Sequence, residues 1–578
     1  MIAESPKRWV YPLPSPGADA AADAAAWGVP VALARWLRAR GIADADAADR
    51  FLRPRLSRLD DPFRLPDMPA AVERIARAIA ARERIAVFGD YDVDGISATA
   101  LTLTTLRALE AEAVPFLPHR MEDGYGLRVE SVRRCIEETG ARLIVTVDCG
   151  INSAEAVADA RAAGVDVVVT DHHVPDAAAQ PEACAVVNPK RAPEGEPWRD
   201  LAGVGVAFKL CHALLKEGRG RSRPEAHRFD LRARLDLVAL GTLADAVPLV
   251  GENRILARHG MDRLSRAPSP GLRALLEAAS ARGEIGSYHV GYVIGPRLNA
   301  AGRLGTARKA FDLLMADDPG VARAIAIELD AANRERQNIE AQTLAEAEAW
   351  IERHFDPDRD FAIVVSGRDW HPGVIGIVAS RLVARYRRPT VVITESADGR
   401  ARGSSRGIEG FHLVEALAAC GAGLDSFGGH AMAAGLTLAA DRVPLLRERL
   451  SAYARERLAG ADLRPEQRID QWIALAEADE RLCEAQRDLR PFGADNPAPV
   501  WGARGVRVLR SDTVGLEGRH RRFTFSDGGA QRDAIGFNLG ARPVPDGPLD
   551  IAFELQMDDY NGRRAVQLNL RDFRAAEE

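Results

Sequence analysis

The sequence predicts an α/β protein: two α/β lobes joined by a long helix, followed by a small all-β barrel. Three observations carry that reading. Short β-branched bursts alternate with amphipathic helical stretches from Ile85 onward, the pattern of parallel strands with helical crossovers. A charged helical pattern then runs from Val321 to Phe355 without Gly or Pro. After Pro465 the texture changes to short alternating strands separated by Gly, Asp and Asn turns, which reads as a closed β structure. At 578 residues the chain exceeds what a single core organises, so several domains are expected.

Residues 1–75 are rich in Ala, Pro and Asp, with helices expected over Val31–Arg40 and Ala43–Leu52. The first lobe, 76–319, carries strands at Ile85–Gly89, Leu143–Val147 and Val165–Thr170, and helices at Val129–Thr139 and Ser153–Ala163. Its functional residues should collect at the carboxyl ends of the strands. The connecting helix, 320–356, would reach about 50 Å at 1.5 Å per residue. The second lobe, 357–460, has strands at Phe361–Ser366 and Thr390–Thr394 around a helix at Ile375–Tyr386. The segment 461–578 supplies the barrel, with strands at Val506–Arg510, Arg522–Ser526, Asp533–Phe537, Asp550–Gln556 and Ala565–Leu570.

Composition excludes some classes and leaves others open. Hydrophobic residues make up 47% and charged residues 28%, ordinary values for a globular protein. No apolar run of membrane length and no secretory leader is read, so a cytoplasmic protein is expected. The six cysteines are scattered without a C-x-x-C pair, which argues against zinc ribbons and disulfide frameworks. A net charge of −6 does not announce a nucleic-acid binder, but a local basic groove can sit on an acidic protein.

The chemistry concentrates at strand ends. The first strand runs into Asp90-Tyr91-Asp92-Val93-Asp94-Gly95. Carboxylates on alternate residues repel one another, and the arrangement becomes favourable when hard divalent cations sit among them. Asp148 follows the strand ending at Val147, Asp171-His172-His173 follows the strand ending at Thr170, and Asp245 follows the apolar run 236–242. Singly, each reads as a turn or capping residue. Four such sites in one α/β domain point to a shared metal centre. Mixed oxygen and nitrogen ligation without thiolate suits Mn²⁺ or Mg²⁺ rather than structural zinc. Two such ions roughly 3.5–4 Å apart activate water and steady a phosphodiester in transit.

Further motifs are Gly124-Tyr125-Gly126-Leu127, the stretch 201–209, 295–303, Trp370-His371-Pro372-Gly373 and Gly428-Gly429-His430. Together with the Asp and His set they resemble the DHH phosphoesterase family, and within it the single-strand-specific exonucleases. The resemblance implies a DHH domain, a DHH-associated domain and an oligonucleotide-binding (OB-like) barrel. It assigns metal-ligand roles to Asp90, Asp92, Asp148, His172 and Asp245, with Asp148 bridging two divalent cations, Mn²⁺ or Mg²⁺; Asp94, beside the cluster, is counted with the metal residues. His173 stands beside them, either bonding a ligand or touching the scissile phosphate, and Asp171 orients a histidine.

Phosphate or strand contacts are expected from Arg297, Asn299 and Arg303. They are also expected from Ser404, Ser405, Arg406, Gly429 and His430, whose two segments read as phosphate-cradling loops. Arg120 is a further phosphate candidate, and Tyr125 either stacks on a base or packs internally. The family usually has Ser after Arg406; here Gly407 stands there. In the barrel, Arg519–Arg522 form a basic cluster with Phe523 and Phe525 alternating, either as a stacking face or as core.

The activity implied is hydrolysis of single-stranded DNA from 5′ to 3′, with release of 5′-mononucleotides, in repair and recombination. A monomer is implied, working with a single-strand-binding protein and a helicase and without a membrane. The long helix suggests a cleft between lobes that admits one strand and excludes a duplex. Rival readings are a small-substrate phosphodiesterase of the same family, a Cdc45-like non-catalytic replication scaffold, and a plain DNA-binding module. The scaffold predicts eroded ligands, and the binding module conflicts with clustered carboxylates that repel phosphate.

Overall fold

The computed structural model of the chain describes residues 7–11, 19–119, 126–267, 269–357, 359–421, 423–558 and 564–577. It divides into two compact units. One contains Trp9–Gly295, Ala310–Arg323 and Glu466–Glu578; the other contains Pro296–Lys309 and Ala324–Pro465.

The first unit is built on five parallel strands: β1 (Ile85–Gly89), β2 (Ala113–Phe116), β3 (Leu143–Val147), β4 (Asp166–Thr170) and β5 (Ala185–Val187). Their order is β2-β1-β3-β4-β5, so the chain reverses direction of travel across the sheet between β1 and β3. In open α/β sheets ligands bind outside the carboxyl ends of the strands at that switch point. The strands are near-continuous Val, Ile and Leu because helices cover both faces, and every residue of β1 and β3 is buried. Helix α1 (Val93–Ala108) is buried along almost its whole length against α2 (Gly203–Gly220) and α3 (Leu235–Ala244). That explains why its sequence lacks an amphipathic stripe.

In the second unit, β6 (Ile363–Arg368), β7 (Thr390–Glu395), β8 (Arg400–Arg406), β9 (Ser426–Gly429) and β10 (Ala433–Ala439) form a mixed sheet ordered β9-β10-β8-β7-β6. Helix α4 (Pro319–His354, 36 residues) starts in the first unit and supplies the second with Leu344, Ala347 and Ile351 as core contacts. It starts two residues before the helical run read from sequence, because Asp318 caps it by accepting from the Val321 N–H. Helix α5 (Pro372–Tyr386) begins with Pro at its first turn, where no amide is needed, and His371 Nδ1 accepts from the Gly373 N–H.

The barrel belongs to the first unit. Strands β11 (Gln471–Trp472), β12 (Trp501–Val514), β13 (His520–Ser526), β14 (Gln531–Gly536), β15 (Leu549–Asp558) and β16 (Ala565–Ala575) run in the order β11-β12-β13-β14-β16-β15. An added β12–β15 pairing closes five of them into a barrel, and closure removes the exposed edges. Phe523 and Phe525 are fully buried, stacked on each other at 5.0 Å. They are barrel core, the second of the two fates the sequence allowed. Trp27, Leu33, Trp36 and Leu37 of the N-terminal helices share that core with Trp501, Phe553 and Phe573.

Candidate metal centre

Each strand end delivers its side chain by a local device. After β1, Asp92 is the N-cap of α1, and its Oδ1 accepts from the N–H groups of Asp94 and Gly95 at 2.9 and 3.0 Å. Gly95 allows the turn: a Cβ there would lie 2.5 Å from the Asp90 carbonyl oxygen. After β3, Asp148 adopts a left-handed backbone, φ 65°, a conformation that costs a non-glycine residue energy and that Asp tolerates better than most. After β4, the Asp171 carboxylate takes the N–H groups of Ile151, His172 and His173, and Nδ1 of His173 at 2.7 Å. Asp171 therefore orients His173 rather than His172. Asp245 ends α3, where the helix dipole disfavours a carboxylate.

These side chains converge. The Nε2 of His172 lies 3.1 Å from Asp148 Oδ1, 3.5 Å from Asp245 Oδ2 and 3.9 Å from Asp94 Oδ2. Three overlapping groups have ligand atoms within 4.8 Å of one another: Asp90, Asp92 and Asp148; Asp94, His172 and Asp245; Asp148, His172 and His173. Despite its 3.1 Å approach to His172, Asp148 Oδ1 is buried without a hydrogen-bond donor. The short distance is a shared orientation toward one point, not a bond between the two.

The electrostatics match. Burial first, then the charges of Asp94, Asp92, Asp245 and Asp90, push the Asp148 carboxyl well above the usual carboxylate range. Burial, Asp245 and Asp92 do the same to Asp94, and burial and Asp245 raise Asp92. Burial lowers His172 to about 4, leaving a neutral imidazole, the form that ligates cations. Burial works against charge on His173 too, but the bond and charge of Asp171 outweigh it, raising His173 to about 9 while Asp171 falls to about 2.

Among the described residues no Lys or Arg forms an ion pair with Asp92, Asp94, Asp148 or Asp245. A buried carboxylate cluster of this kind must take up protons or cations. Divalent cations fit the donor set: carboxylates and one imidazole, with an orphaned carboxylate oxygen at its centre.

Sequence reasoning missed how α2 and α3 shape this pocket. The Gly203 and Val204 N–H groups, at the amino end of α2, donate to Asp94 Oδ2 and Oδ1 at 2.7 and 2.9 Å. Close approach demands glycine. A Cβ on Gly203 would lie 2.4 Å from Asp148 Oδ1, and one on Gly241 of α3 would lie 2.6 Å from Asp94 Oδ1. The small residues of the 201–209 motif were visible, but their role depended on a partner 109 positions away in the chain.

The second unit holds the remaining described candidates. Arg297, Asn299 and Arg303 lie on the helix Gly295–Leu304. Arg297 Nε donates to Asp330 Oδ1 at 2.9 Å, and Arg303 donates to the Gly373 carbonyl at 3.0 Å. The segment Gly403–Arg406 is not the loop expected from its Gly and Ser content: it is the end of β8, paired on both sides by β7 and β10. Alternation along the strand separates its side chains. Ser404 and Arg406 share one face at 3.2 Å, against Gly376 of α5, whereas Ser405 is buried with its Oγ donating to the Ala434 carbonyl. Gly428 and Gly429 likewise belong to an exposed edge strand, and exposed His430 follows at the hairpin. Gly429, φ 143°, leaves no room for a Cβ, which would lie 2.4 Å from the Ala433 carbonyl. At Gly407 a Cβ would meet the Ala431 carbonyl at 3.2 Å. Arg120 and Tyr125 lie outside the described residues. In the barrel, Arg519 and Arg522 are exposed, while Arg521 is tied to the Gly540 carbonyl.

Comparison with known proteins agrees with this architecture over most of the chain. The DHH family N-terminal domain matches residues 84–242, the DHHA1 domain residues 359–456 and the RecJ OB domain residues 469–572. The chain is 39% identical over 563 residues to the single-stranded-DNA-specific exonuclease RecJ of Dickeya dadantii, covering 93% of this chain and 95% of that protein. It is 37% identical over 563 residues to that of Escherichia coli K12, with the same coverage. The solved structure of RecJ in complex with Mn²⁺ from Thermus thermophilus superposes with a TM-score of 0.84 at 31% identity, covering 99% of this chain and 80% of that one. With all three domain models in order and near-complete coverage on both sides, the chain belongs to the RecJ family.

Proposed function

We propose that this protein is a metal-dependent exonuclease that degrades single-stranded DNA from the 5′ end, releasing 5′-mononucleotides, in DNA repair and recombination. The observation that carries the proposal is the convergence of Asp94, Asp148 and Asp245 on His172 at the switch point of the parallel sheet. The family membership and the metal-bound RecJ structures with Mn²⁺ and with Mg²⁺ support it.

In this reading Asp90, Asp92, Asp94, Asp148, His172 and Asp245 hold two divalent cations, Mn²⁺ or Mg²⁺. When bound, the cations supply Lewis-acid activation of water and charge neutralisation at the phosphodiester. The protein's own residues do the rest. Asp92 and Asp94 are held in place by amides of α1 and α2, so the ligand geometry is preset. His173, fixed through Nδ1 by Asp171, presents its other ring nitrogen to a phosphate oxygen. Arg297, Asn299, Arg303, Ser404, Arg406, Gly429 and His430 are assigned to the strand's phosphates, and the exposed Arg519 and Arg522 of the barrel to more distant ones. A cytoplasmic monomer acting beside a helicase and a single-strand-binding protein is the setting this implies.

The test is digestion of 5′-labelled and 3′-labelled single strands, and of a blunt duplex, with Mn²⁺, Mg²⁺ or chelator, alongside Asp148→Ala. Labelled mononucleotide should appear first from the 5′ label, and chelator or the substitution should abolish it. Equal digestion of duplex, or cleavage of dinucleotides but not of long strands, would reject the proposal in favour of a small-substrate enzyme.

A further inference from the structure

Ahead of the Gly295–Leu304 helix, the first unit contains a π-helical segment, His289–Ile294, a form rare in proteins and frequent at functional sites. The segment and its N-cap residue display two large side chains that the core does not use. Tyr288 is 67% and Tyr292 74% exposed, and their rings stack on each other at 5.2 Å with 28° between planes. Burying rings of this size is strongly favourable. A matched pair standing in solvent is therefore a conspicuous surface.

Its position matters more than its exposure. The π-helical segment packs on α3, the helix that ends at Asp245. A Cβ on Gly295, the residue after the segment, would lie 3.8 Å from the Ala244 Cβ, next to Asp245. Tyr292 precedes that contact by three positions in the chain. The segment that carries the tyrosine stack thus packs, within one unit, against the helix that presents Asp245. Resting on the exonuclease reading above, we infer that Tyr288 and Tyr292 form a stacking platform for an unpaired base of the strand whose phosphodiester lies at the metals. Every base has a π face, so such a platform is tolerant of sequence, and it takes a base only when the strand is unpaired.

The test uses the full-length protein with chelator, so that binding is read without cleavage, and then with Mn²⁺ for turnover. Fluorescence anisotropy with labelled single strands compares wild type, Tyr288→Ala, Tyr292→Ala and the double Tyr→Phe variant. Each Ala variant should weaken binding about tenfold, as expected for one stacked base, and raise KM more than it lowers kcat. The Phe variant should match wild type. A single abasic position walked along the strand should weaken wild-type binding at one register only, and there the Ala variants should lose nothing further. Ala variants that bind every strand as wild type does would overturn the inference. So would a change confined to self-association in sedimentation, which would make the stack an interface between copies. A wild type that holds no single strand at all would instead remove the exonuclease reading, and this inference with it.

Discussion

Replacing Asp148 by Asn should stabilise the metal-free protein while destroying its activity. The side chain keeps its shape, and Asn tolerates the left-handed backbone at φ 65° as Asp does. What changes is charge: Asp148 is buried among Asp90, Asp92, Asp94 and Asp245, all of which raise its carboxyl. Like charges about 4 Å apart repel by roughly 4 kcal/mol at an effective dielectric near 20. Much of that is already relieved in the metal-free fold by proton uptake, so a net gain of about 1–3 kcal/mol is expected. For a unit of roughly 400 residues, this gain corresponds to about 1–4 °C in Tm. Mn²⁺ should stabilise the two proteins to different extents. At a concentration about 100-fold above its Kd, it stabilises a competent site by about 2.7 kcal/mol; the variant should show a fraction of that. Differential scanning calorimetry with chelator and with Mn²⁺ measures both. A metal-free variant less stable than wild type, with the Mn²⁺ shift intact, would mean that the cluster is not a metal site.

Because burial and mutual repulsion raise Asp92, Asp94 and Asp148, the metal-free fold holds protons that the unfolded chain has already released above the ordinary carboxylate range. Its stability from these groups therefore falls as pH rises through that window, and Mn²⁺ must displace those protons. The Mn²⁺-induced rise in Tm should grow from about pH 5.5 to about pH 8; a flat or inverted trend in thermal scans would contradict the assignment. Gly203→Ala places a Cβ 2.4 Å from Asp148 Oδ1, so Mn²⁺-dependent turnover should fall on the order of 100-fold while circular dichroism stays native. Arg254 is buried, donates to the Phe51, Asp488 and Leu489 carbonyls, and lies 4.0 Å over the Phe51 ring. Arg254→Ala removes the donor to the Phe51 and Asp488 carbonyls, while Leu489 keeps the Asn496 amide, and should cost about 3–5 kcal/mol in denaturant titration.

Much of this site was legible because strands and their ends carry local signals. The buried runs at β1, β3 and β4, each followed by Asp or Asp-His-His, placed three of the four ligand segments before any coordinates. Asp245 was found by its spacing after an apolar run, but the run is a fully buried helix, and periodicity does not separate such a helix from a strand. The second unit shows the complementary failure. Gly403-Ser404-Ser405-Arg406 has the composition of a loop, yet two neighbouring strands capture it, and only that pairing decides that Ser404 faces α5 while Ser405 faces the core. Tertiary context overrode propensity.

The five carboxylates of the centre are not equivalent, and the difference separates what the fold presets from what the cations must organise. Asp92 is fixed by two amides of its own helix cap, and Asp94 by two amides across the pocket; both positions hold with or without metal. Asp148 has an orphaned oxygen on a left-handed residue, and Asp245 sits partly exposed at the disfavoured end of a helix dipole. Among the described residues, no Lys or Arg compensates the charge of either. The preset pair thus supplies a template, and the energetic deficit at Asp148 and Asp245 becomes the driving force for cation uptake. Glycines at 203 and 241, needed for backbone approach to Asp148 and Asp94, are the price of building that template from two helices packed directly on a third.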